Sequence, residues 1–158
     1  EMASDPTINV YRDLISPMGE RIRTDPRFAD IKNVIYDTDQ LAFSEMPAIE
    51  MYLAGPWEDV ARGSGSYSLQ TRALKARLTF SLWVYDAHSR QRMDEALFHL
   101  GGLLLDFLRD WTDFNQIEGV VLGKEPLLWQ VTRPETETGY VGLHIVTAEF
   151  MIYSGTGK

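Results

Sequence analysis

Residues Leu74 to Tyr85 alternate without a break. Leu74, Ala76, Leu78, Phe80, Leu82 and Val84 have one parity; Lys75, Arg77, Thr79, Ser81, Trp83 and Tyr85 have the other. A strand turns successive side chains to opposite faces, so this period of two predicts a half-buried strand and excludes a helix. A second period follows at once. After Asp86-Ala87-His88-Ser89, a turn with Ser89 as cap, the residues Met93, Ala96, Leu97, Leu100, Leu104, Phe107, Leu108 and Trp111 recur at helical spacing. Asp94 and Glu95 lie near the positive end of that helix, where its dipole favours acids. Gly101-Gly102 falls in mid-helix, where each glycine costs about 1 kcal/mol relative to alanine. The pair is expected to admit another backbone packed very close.

The flanks are read the same way. Asp5-Pro6 resembles a helix cap followed by proline at the first helical position. Ile8, Tyr11, Leu14, Ile15, Met18 and Ile22 form one helical stripe, interrupted by Pro17. A proline there removes a donor and clashes with the preceding turn, which predicts a kink or a restart with Ser16 as cap. Asp25-Pro26 ends the segment and opens a short helical turn toward Ile31. Asn33 to Tyr36 fits a short strand, and the surrounding Lys32–Met46 stretch is ambiguous. Pro47 introduces a strand over Ala48–Ala54, stopped by Gly55-Pro56. Trp57 to Leu69 is loop-like, centred on Arg62-Gly63-Ser64-Gly65-Ser66, and is expected to project. Gly119 to Val131 contains a strand bent at Pro126; Arg133 to Gly139 is a polar turn. Tyr140 to Tyr153 is a long strand apolar on both faces, hence central or covered by a partner. The termini, about 1–5 and 154–158, are expected to be flexible. The order predicts a single α+β domain over 1–158: a mainly antiparallel sheet packed by an N-terminal helix and a long central amphipathic helix.

Composition narrows the function classes. The 158 residues suit one domain, and 44% hydrophobic content suits a real core. No stretch approaches the roughly 18 apolar residues of a membrane-spanning helix. The acidic N-terminus predicts no signal peptide. With no cysteine, disulfides, thiolate metal sites and cysteine nucleophiles are excluded. A net charge of −8 argues against nonspecific nucleic-acid binding, which needs cations for the phosphates. The charge is uneven. Residues 1–60 carry 12 acids and 5 bases, residues 61–92 carry 1 acid and 6 bases, and residues 93–158 carry 10 acids and 4 bases. A basic middle between acidic ends can pair internally, with another copy, or simply with solvent.

No chemical motif survives comparison with its bland alternative. His88 and His99 read as solvated and His144 as a hydrogen-bonded core or interface residue; none has the spacing of a local metal pair. Asp37-Thr38-Asp39 is a candidate cation pair of a kind that loops carry by chance. Asp110-Trp111-Thr112-Asp113 is weaker, since Trp111 belongs to the apolar stripe. The glycines at 63 and 65 lack the Lys-Ser/Thr of a phosphate loop and the third glycine of a dinucleotide loop. No catalytic, cofactor-binding or metal residue is therefore assigned, and no cofactor is expected. Trp57, Arg62, Arg72, Lys75, Arg77, Trp83 and Tyr85 are instead candidates for a subunit interface, because interfaces are enriched in Trp, Tyr and Arg.

The layout resembles the tail terminator (tail-tube terminator) and tail-completion proteins of long-tailed bacteriophages. The resemblance rests on the N-terminal helix leading to Met46-Pro47-Ala48-Ile49-Glu50-Met51-Tyr52, a basic variable stretch, and Arg77-Leu78-Thr79-Phe80-Ser81-Leu82-Trp83-Val84-Tyr85. It continues through the helix Met93–Trp111 and a final hairpin ending Ala148-Glu149-Phe150-Met151-Ile152-Tyr153. Pro17 and the long Lys32–Met46 stretch depart from the compact family layout. The resemblance implies a structural virion protein, not an enzyme, whose single domain forms a hexameric ring. That ring would cap the tail tube, end its polymerisation and present the joining surface to the head-side connector or stopper protein. A sheath protein is a further implied neighbour. DNA would pass through the lumen without specific binding, and no membrane is involved. The implied location is the tail or neck of the virion, after assembly in the host cytoplasm. Alternatives are another head–tail connector, tail-completion or tube protein, a small-molecule-binding α+β domain or enzyme, and a host-side adaptor.

Overall fold

The alternating segment becomes the axis of a sheet. A computed structural model describes residues 8–36, 41–53, 58–59, 71–110 and 117–155, with the backbone alone at 58–59, 71–72, 124–129 and 154–155. Among these, six strands form one sheet: β1 (Asn33–Tyr36), β2 (Ala48–Leu53), β3 (Glu58–Asp59), β4 (Thr71–Asp86), β5 (Val120–Thr132) and β6 (Tyr140–Gly155). Their order is β1-β2-β4-β6-β5, with β3 also on β4. β4 and β6 pair antiparallel from Thr71↔Gly155 to Asp86↔Tyr140, which makes a long central ribbon. The β6 backbone thus runs to Gly155, two residues beyond the strand end expected at Tyr153, through its pairing with β4. Residues 1–7 and 156–158 lie outside the described residues.

The fold is mixed α+β with an antiparallel-rich sheet, as expected, but β1 pairs with β2 in parallel. β3 corrects the picture of 57–69 as a purely projecting loop. Glu58 and Asp59 pair with Lys75 and Leu74, which satisfies backbone groups along the edge of β4 beyond the reach of β2. The remainder of that loop, with Trp57 and Arg62, lies outside the described residues, as do Asp5-Pro6, Asp37-Thr38-Asp39 and 111–113. β5 is irregular, with register shifts between Leu122/Lys124, Lys124/Leu127 and Leu128/Gln130. Pro126 lies inside this stretch, and a residue without N–H cannot sustain a regular ladder.

The two helices cover one face. α1 (Ser16–Thr24), the turn Tyr11–Ile15 before it and α2 (Arg90–Arg109) pack Leu14, Ile15, Met18, Ile22, Met93, Leu97, Leu104 and Leu108 against Leu78, Phe80, Leu82, Val146 and Phe150. Pro17 acts differently from expectation. Ser16 keeps helical dihedrals and its N–H bonds to the Tyr11 carbonyl, closing a π-turn over Tyr11–Ile15. The wider turn relieves the clash of the proline ring with the carbonyl four residues back, so the helix continues with no restart at Ser16. α2 starts as its sequence predicts: the Ser89 hydroxyl accepts from the Arg92 N–H at 3.1 Å. Its C-terminal end is held by Arg27, which pairs with Asp110 at 2.7 Å and lies 5.5 Å from the Phe107 ring centre.

The sheet face opposite the long helices as candidate functional site

Strand alternation places the opposite parity on the other side of the sheet. From β2 come Glu50 and Tyr52; from β4 Lys75, Arg77, Thr79, Ser81, Trp83 and Tyr85; from β6 Leu143, Ile145, Thr147, Glu149 and Met151. Neither α1 nor α2 packs there, and the short 3-10 turn Phe43–Glu45 lies against its Tyr85 end. The surface has a definite relief. Thr79 and Ser81 are 3% exposed, since short hydroxyl side chains lie below the level of their bulkier neighbours. Thr79 and Thr147 face each other with hydroxyls 3.4 Å apart. Around this polar floor stand Tyr52, Trp83, Leu143, Ile145 and Met151, all half-buried.

Of the interface candidates, this face brings together Lys75, Arg77, Trp83 and Tyr85. Arg72 takes its place in β4 opposite Ser154, and its side chain lies outside the described residues. The four differ in how far the fold has already engaged them. Tyr85 stacks on Phe43 with ring centres 4.3 Å apart and planes at 7°. Its hydroxyl donates to the Thr138 carbonyl at 3.2 Å, and a Cβ on Gly139 would collide with that ring. Tyr85 therefore supports the β5–β6 turn. Trp83 donates its indole N–H to Glu50 at 3.3 Å and leaves its ring on the face. Arg77 reaches the buried Glu149 carboxylate at 3.8 Å while its own side chain stays 57% exposed. A guanidinium has five N–H donors, so this loose contact leaves it capacity for a further acceptor.

His144 is the functional-looking residue whose setting the sequence obscured. It lies on the helix side of β6, 3% exposed, with Nδ1 buried and without a hydrogen-bond partner. The expected buried, hydrogen-bonded histidine is what the structure shows, with Nδ1 left over. Burial pushes its pKa below the ordinary 6.5, opposed by a hydrogen bond with the Leu97 backbone. The space for its ring comes from Gly101, where an added Cβ would strike Nδ1 and Cε1. This corrects the expected backbone approach at Gly101-Gly102: an imidazole fills the gap, and Gly102 faces open space. His88 and His99 are exposed, as expected.

A cleft of about 360 Å³ lies where the start of α2 meets the β5–β6 turn, lined by Arg90, Met93, Arg133, Glu135, Tyr140 and Val141 among others. Arg133 is occupied by a two-pronged contact with Asp94 at 3.0 and 3.1 Å. The ionisable side chains of the cleft are Arg90, Arg133, Glu135 and Tyr140. Among the described residues no three His, Asp or Glu side chains cluster as metal ligands, and no helix is long and apolar enough to cross a membrane. Against known proteins, no family model matches the chain and no curated protein matches it.

Proposed function

We propose that this chain is a structural subunit of a phage tail, assembling into a ring that caps the tail tube, stops its polymerisation and receives the head-side connector. The observation that carries this reading is the face of the β4–β6 ribbon opposite α1 and α2. It combines an aromatic ring at Trp83, apolar Leu143, Ile145 and Met151, and an under-committed cation at Arg77. An antiparallel sheet can leave one face to water, and a face that combines Trp, Arg and apolar side chains has the composition that interfaces favour. The sequence resemblance supplies the tail context, and the net charge of −8 suits a lumen through which DNA slides without adhering.

Negative-stain microscopy and tube-length measurement test the proposal together. The purified chain should form rings with an open centre, and adding it to polymerising tail tube protein should shorten and cap the tubes. A particle that remains monomeric at every concentration, and beside tubes, overturns the reading.

A further inference from the structure

We draw no further inference here: the strongest candidate, the face of β4 and β6 opposite α1 and α2 on which Trp83, Leu143, Ile145 and Met151 stand half-buried, belongs to the site already described, and nothing in the structure shows what covers it beyond the Phe43–Glu45 turn at its Tyr85 end.

Discussion

Two adjacent glycines with the same intrinsic propensity are separated by their surroundings. Gly101 faces the His144 imidazole and Gly102 faces solvent. Gly101→Ala should therefore destabilise the fold by about 1–3 kcal/mol through overpacking. Gly102→Ala should stabilise it by up to about 1 kcal/mol through helix propensity. Urea unfolding of the two variants checks the opposite signs. His144 adds a dependence on pH. Its folded pKa lies below the unfolded value near 6.5, so the unfolded chain takes up the proton first as pH falls. Stability is full above about pH 6.5 and declines below it, toward the folded-state pKa, at up to about 1.4 kcal/mol per pH unit from this group. Denaturation midpoints measured at about pH 7.5 and 5.5 should separate in the wild type, and the part due to this residue should vanish in His144→Gln. The sequence placed His144 correctly on an apolar strand face. It did not reveal the bare Nδ1, because the helix residue opposite it is distant in the chain.

The elements whose signals are local were the legible ones. β4 and α2 are coded by uninterrupted periods of two and of about 3.6, and both appear close to their expected bounds. The turn between them is local as well. Asp86 accepts from the His88 and Ser89 N–H groups and from Arg92, and these bonds bring its pKa down from 3.8 to about 2. That carboxylate supports the turn above the unfolded value near 3.8, and the support is lost as pH falls toward about 2. Ser89→Ala removes the cap at the same junction and should cost about 1 kcal/mol, measured by chemical denaturation. β3 and the π-turn were not legible. Two residues carry no periodicity, and the route by which a helix absorbs Pro17 depends on which face it must keep buried. Leu14, Ile15, Met18 and Ile22 all face the core, so the chain widens one turn and holds the stripe in place.

As a whole, the molecule is two-layered where described: α1 and α2 on one side of the sheet, and on the other a face that only the Phe43–Glu45 turn is seen to touch among the described helical segments. β6 shows why both of its faces are apolar in sequence. His144, Val146, Ala148, Phe150 and Ile152 enter the core, while Leu143, Ile145 and Met151 stay half-buried on the surface we assign to association. Arg77 is the residue there with electrostatic capacity to spare. Reversing it should weaken assembly without lowering subunit stability much, since its bond to Glu149 is long and its side chain is mostly exposed. Equilibrium sedimentation of Arg77→Glu beside a thermal melt checks both parts. Association should also weaken with added salt, because charges at a rim are screened over about 8–10 Å.

The order of apolar and polar side chains along the chain decided which segments are strands and which are helices, and which parity of β4 enters the core, because burial acts on one face at a time. It also placed Lys75, Arg77, Trp83 and Tyr85 on one common face. Folding in three dimensions decided which of those four are engaged within the subunit. Tyr85 is taken up by Phe43 and Thr138, whereas Arg77 is held only loosely. It likewise gave two identical glycines opposite roles. Contacts of this kind join residues far apart in sequence, and periodicity along a chain carries no information about which distant side chain arrives opposite.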